Sequence, residues 1–239
     1  MYGFLLPDEK QTGRHVVLSC EVLCGLPVLQ VSIPMERRLS KKRLERRVRQ
    51  AAEQLCRNGV RRVLTPSEFP WDETLSQWGL SKVKTTELCR AAAAPLALTA
   101  LELRGWTAQR AVVTLAGRRV NAPLVCAAET LAKRVSGLHI AVPDGGMELA
   151  EYLRKEYGLP IVPETVRPAL TVAFDESWQG RGAALRLWGD EPELLGTEVY
   201  VPDLKLPWNC DAQSLLAALW ESGLIPQGRL CARVRRNDP

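Results

Sequence analysis

Arg110-Ala-Val-Val-Thr-Leu-Ala116 is followed by an apolar-periodic stretch from Asn121 or Ala122 to Val135. Leu138-His-Ile-Ala-Val142 comes next, then Gly146 to Tyr157, then Leu159-Pro-Ile-Val162. The first, third and fifth pieces are short Val/Ile/Leu-rich runs, as strands buried on both faces should be. The second and fourth carry helical spacing. Pro123 sits in the first turn of one, where its missing N–H costs nothing, and Gly158 closes the other. Short apolar strands alternating with helices of this length predict a parallel sheet with crossover helices.

Working back from there, the first half reads the same way. Residues 15–23 and 26–33 flank Cys24-Gly25 and predict a β-hairpin. Ser40 starts a helix to about Cys56, whose Leu44, Val48, Ala51, Ala52 and Leu55 share one face. Val60–Thr65 predicts a strand, Pro70 to Gly79 a short helix, and Leu80–Thr85 a weaker strand. Cys89 to Arg104 predicts a long Ala/Leu-rich helix, with a kink or a later start at Pro95. Beyond Pro163, three strands (Ala169–Asp175, Ala183–Trp188, Thr197–Val201), a helix capped by Asp211 and a last strand, Arg229–Val234, predict an antiparallel extension beside the hairpin.

Two β-α-β-α-β triplets joined by one long helix predict an α/β fold, a Rossmann-like doubly wound, mainly parallel sheet of about six strands ordered 3-2-1-4-5-6. The expected organisation is one compact unit made of an N-terminal hairpin over 1–35 whose second strand enters the sheet, an α/β core over 36–164, and a C-terminal β-rich extension with one helix over 165–239.

The chain has 239 residues, enough for a substantial core. It is 46% apolar and 25% charged, which excludes wholesale disorder. No apolar run is long enough to span a membrane, and the N-terminus lacks the basic and apolar regions of a secretory signal. The seven cysteines are odd in number and scattered, without a Cys-x-x-Cys, so a reduced cytoplasm is the expected compartment. Cys20, Cys24 and His15 are the nearest approach to a ligand cluster. A structural zinc site needs four ligands, so no metal is expected.

Ligands of doubly wound sheets bind beyond the carboxyl ends of the strands at the switch point. On the expected order the switch strands are 28–33 and 110–116. Neither following loop carries Gly-x-Gly-x-x-Gly, and no phosphate-binding P-loop motif occurs, so no nucleotide cofactor is expected. Both loops carry paired arginines instead, Arg37-Arg38 and Arg118-Arg119, whose planar forks suit carboxylate or phosphate. Asn121, Asp144, Gly145 and Gly146 complete the candidate ligand-binding set. Asp144-Gly145-Gly146 reads first as a turn and helix cap, and second as an anion nest.

Charge is uneven. Pro34 to Arg62 holds eleven Lys/Arg against three Glu, a net of +8, which leaves the remainder at −3 of the overall +5. Lys41, Lys42, Arg46 and Arg47 form the expected basic surface. Classical catalytic motifs are missing: His15 and His139 lie in strands, and no Gly-x-Ser-x-Gly or His-Glu-x-x-His occurs. The leading expectation is a non-catalytic module that binds an anionic small molecule or a protein partner. The alternatives are an enzyme acting on a phosphorylated or carboxylated small molecule, and an electrostatic nucleic-acid binder acting through residues 37–49.

Overall fold

A computed structural model describes residues 1–8, 15–35, 40–158, 160–163, 166–180 and 182–235. The protein is a mixed α/β chain with parallel sheets and helices. In chain order its elements are β1 (Tyr2–Asp8), β2 (Val17–Leu23), β3 (Leu26–Pro34), α1 (Lys41–Arg57), β4 (Arg62–Leu64), α2 (Asp72–Gln77), β5 (Ser81–Lys82), α3 (Thr86–Ala91) and α4 (Ala93–Leu103). Then follow β6 (Val112–Ala116), α5 (Ala122–Ala132), β7 (Gly137–Ala141), α6 (Gly146–Tyr157), β8 (Leu170–Ala173), β9 (Ala184–Arg186), β10 (Thr197–Tyr200), α7 (Ala212–Glu221) and β11 (Cys231–Val234).

The strands do not form one six-stranded sheet. They form a five-stranded sheet, β2-β3-β1-β4-β5, a four-stranded sheet, β7-β6-β8-β9, and the pair β10-β11. The compact units follow these sheets. One comprises Met1–Lys84 with Asp203–Ile225, the other Thr85–Pro202 with Pro226–Pro239. The first boundary, after Lys84, falls inside the stretch 36–164 expected to be one α/β core. The long helix expected to join two halves of one sheet instead opens the second unit.

The reason for the difference is β1. Tyr2–Asp8 carries Pro7, and proline argues against a central strand because it has no N–H to donate. Yet β1 lies between β3 and β4, parallel to both. Pro7 is tolerated because β4 pairs only with Tyr2 to Phe4, so at Pro7 the strand has a neighbour on the β3 side alone. The chain comes close to Gly3, where a Cβ would stand 3.0 Å from both Leu55 and Val60.

In the first unit, Val48, Ala51, Ala52 and Leu55 of α1 are fully buried with Leu5, Val31, Ile33 and Val63 of the sheet. Arg47, expected on the basic surface, is buried instead and donates to the Pro34 carbonyl. It falls at the margin of the apolar stripe, beside Val48, so its charge is spent inside the unit. At the other end of the sheet, Arg62 pairs with Glu221 of α7, and the Tyr2 hydroxyl donates to the same carboxylate at 2.9 Å.

In the second unit β8 and β9 are parallel strands of the main sheet rather than part of an antiparallel extension. The β8–β9 connection contains no helix, so the βα alternation that reveals parallel strands is absent from its sequence. Of the expected 159–162 strand, Leu159 lies outside the described residues and the rest forms a bridge between Ile161 and Leu138, since Pro160 and Pro163 limit its ladder. The long Ala/Leu helix resolves into α3 and α4. Pro95 becomes the third residue of α4, inside the first turn where its missing N–H is not needed.

Candidate functional site

The second unit carries the crevice. From β6 the chain passes through α5 to β7, then through α6 to Ile161 on the outer side of β7. It then returns to place β8 against the other edge of β6. The loops after β6 and β8 thus leave neighbouring strand ends in opposite directions, which opens a gap beyond the carboxyl ends. A cavity of about 740 Å3 fills it, lined by Arg90, Arg118, Arg119, Asn121, Pro143, Asp144, Phe174 and Asp175. That volume suits a small molecule.

Backbone lacing fixes the walls. Arg119 and Asp144 form a parallel bridge, and Val120 donates to the Asp144 carbonyl at 2.9 Å, so the loops after β6 and β7 move as one. Across the gap, Asp175 at the end of β8 accepts the Arg118 amide at 2.6 Å and the Ser177 amide at 3.0 Å. It also accepts the Ser177 hydroxyl. Burial alone would raise the Asp175 pKa, but the Ser177 hydroxyl, the two amides and the nearby Arg90 charge outweigh it and hold the carboxyl below its ordinary value. Asp175 therefore stays ionised, with its oxygens already engaged. Arg90 is committed as well: it donates to the Leu187 carbonyl at 2.9 Å and the Phe174 carbonyl at 2.7 Å, and pairs with Glu87.

The remaining groups are open to a ligand. Arg118 and Arg119 are exposed, and among the described residues their guanidiniums have no hydrogen-bond or ion-pair partner. Asn121 caps α5 by accepting the Leu124 amide at 3.0 Å through Oδ1, which leaves its Nδ2 as a donor. The Leu124 amide is thereby used and Pro123 has none, so the anchoring of an anion falls to side chains rather than to the helix terminus. Asp144 presents an exposed carboxylate on the same wall.

Of the expected site residues, Arg118, Arg119, Asn121 and Asp144 come together. Arg37 and Arg38 lie outside the described residues. The strand before them, β3, belongs to a different sheet from β6, so residues 28–33 and 110–116 do not flank one switch point. The true neighbour of β6 there is β8. Gly145 and Gly146 do not line the cavity. Gly145 is the left-handed N-cap of α6, and a Cβ on Gly146 would meet Val142 at 3.1 Å, so both glycines serve close packing. Asp144 does not cap α6 with its side chain.

Arg90, Pro143, Phe174 and Asp175 also line the cavity and stand outside the candidate ligand-binding set, although Pro143 opens the loop of Asp144, and Asp175-Glu176 is one of the adjacent carboxylate pairs that read first as turn or helix caps. β8 takes up Leu170–Ala173 of the expected Ala169–Asp175 strand and Asp175 lies just beyond it; no local pattern carries the placement of β8 beside β6. Among the described residues there is no cluster of His, Cys, Asp and Glu able to hold a metal. Nor is any helix among them long and apolar enough to cross a membrane.

No family model matches the chain, and no curated protein matches it. Among solved structures, L-tryptophan dehydrogenase from Nostoc punctiforme aligns over 63% of this chain and 46% of that chain, at 13% identity and a TM-score of 0.28. This chain thus spans less than half the length of that enzyme, and a likeness of this size decides nothing about fold or activity.

Proposed function

We propose that the second unit is a doubly wound, Rossmann-like module that binds an anionic small molecule carrying a hydroxyl or amine beside its negative group. The observation that carries this reading is the division of labour at the cavity. Arg90 and Asp175 are consumed in holding the walls, while Arg118, Arg119 and Asn121 offer uncommitted donors and Asp144 one uncommitted acceptor. Two adjacent guanidiniums favour a carboxylate or phosphate. The neighbouring Asp144 carboxylate favours a ligand that can also donate.

Asp175 serves this recognition as a wall rather than as a base, because its ionised carboxylate is already satisfied by three hydrogen bonds. A thermal-shift series with inorganic phosphate, citrate and glycerol phosphate tests the reading. At least one anion should raise the unfolding temperature of the native chain, and the rise should vanish in the Arg118→Ala/Arg119→Ala variant. Equal stabilisation of both proteins, or of neither, overturns it.

A second reading concerns the first unit. Lys41, Lys42, Arg43 and Arg46 are exposed on α1 and have no ion-pair partner among the described residues, and the first three occupy a first turn without any acidic residue. Cations at that end of a helix oppose its dipole, an arrangement that a bound polyanion such as nucleic acid would relieve.

A further inference from the structure

β2 is the outermost strand of the five-stranded sheet. Its turn, Cys24-Gly25, has positive φ at both positions, 51° and 89°, which is the type I′ geometry of a two-residue hairpin. In that geometry the flanking pair, Leu23 and Leu26, exchanges both ladder bonds. Val17, Ser19, Glu21 and Leu23 therefore turn their backbone groups toward β3. Leu18, Cys20 and Val22 turn theirs outward, to an edge with no strand beyond it among the described residues.

Edges of this kind are normally blunted with lysine, proline or a bulge. None occurs between Val17 and Leu23, and Glu21 is the sole charged residue there. Apolar side chains are exposed along it, with Val22 68%, Val17 49% and Leu18 40% accessible.

The sequence of the strand is its own complement. Read against itself in reverse about Cys20, Val-Leu-Ser-Cys-Glu-Val-Leu places Val17 opposite Leu23, Leu18 opposite Val22, Ser19 opposite Glu21 and Cys20 opposite Cys20. Every apolar residue meets an apolar one and the polar residues meet each other. The outward backbone groups of Leu18, Cys20 and Val22 meet the outward groups of Val22, Cys20 and Leu18. Charge selects this register. A slip that centres the pairing on Glu21 would set the two carboxylates directly opposite, which is destabilising.

We propose that β2 pairs antiparallel with β2 of a second copy of this chain, about a two-fold axis through Cys20, joining two five-stranded sheets into one of ten strands. The pairing is isologous and closed, so it stops at a dimer.

Sedimentation equilibrium on the full chain under reducing conditions, from low to high micromolar, tests it. The expected species is twice the 26.6 kDa chain. Leu18→Lys and Val22→Lys alter exposed side chains and should raise the dimer dissociation constant more than tenfold. Cys20→Pro removes an outward N–H without touching the β2–β3 ladder, and should give a monomer with an unchanged circular dichroism spectrum. A wild-type monomer throughout that range, or a dimer indifferent to both lysine variants, overturns the proposal. Should the proline variant not fold, the lysine variants decide alone. Anion binding is not read in this experiment, so its outcome is independent of the cavity.

Discussion

Asp175 shows how one side chain is made to serve the site without taking part in binding. Its carboxyl sits below the ordinary value of 3.8, because hydrogen bonds from Ser177 and Arg118 and the charge of Arg90 outweigh the cost of burial. A carboxyl whose folded pKa is lower than its unfolded one contributes stability that is complete above the unfolded value. That contribution is lost as pH falls through the folded value. Asp175→Asn should therefore unfold at a lower temperature than wild type at pH 7, and the gap should close as the pH drops below 3.8. Thermal denaturation followed by circular dichroism at a series of pH values checks this. A gap that stays constant would mean that the carboxyl makes no ionisation-dependent contact. None of these partners is near Asp175 in sequence except Ser177. Its role rests on β8 lying beside β6, a long-range pairing that no local pattern in the sequence carries.

At the scale of elements, Asp211 is the most connected cap in the first unit. It ends the loop into α7 and accepts the Ser214 amide at 2.8 Å. Its own amide donates to the Thr65 carbonyl at 2.8 Å, and its carboxylate accepts from Ser67. Asp211→Ala should lower stability by about 0.5–2 kcal/mol, the usual cost of losing an N-cap. Chemical denaturation measures that loss, and an unchanged midpoint would show that α7 needs no cap. This cap was legible in the sequence, as were the hairpin, α1, β6, α5, β7 and α6, because each carries its own local signal: a turn dipeptide, a cap or a period. What could not be read locally was adjacency. β1 hides behind Pro7, and β8 and β9 are parallel without a helix between them. The missing strand alone is enough to turn two sheets into a mistaken one, since without β1 the hairpin strand β3 has only its antiparallel partner β2, and its parallel neighbour must be sought elsewhere in the chain. The crevice survived the error only in part. The loop after β6 lines the cavity, but the opposite wall is formed by Asp175 rather than by a loop after β3.

At the scale of the molecule, the two units divide the charge between two kinds of surface. The +8 between Pro34 and Arg62 was read as one basic face, but the structure removes part of it. Arg47 is buried, Arg49 pairs with Glu45, Arg57 with Glu53 and Arg62 with Glu221. Four exposed cations of α1 remain uncommitted among the described residues: Lys41, Lys42, Arg43 and Arg46. If α1 is a polyanion surface, these four set its electrostatics. Each phosphate neutralised releases counterions, so the logarithm of the binding constant for duplex DNA should fall against the logarithm of salt concentration with a slope of about −3 to −4. Lys42→Glu/Arg46→Glu should remove binding at low salt and leave the anion-induced thermal shift of the second unit intact. Fluorescence anisotropy with a random-sequence duplex across a salt series reads both quantities. A slope near zero, or binding that the double variant retains, would mean that the basic stretch is a solvated helix face and that the cavity alone carries the recognition of anions.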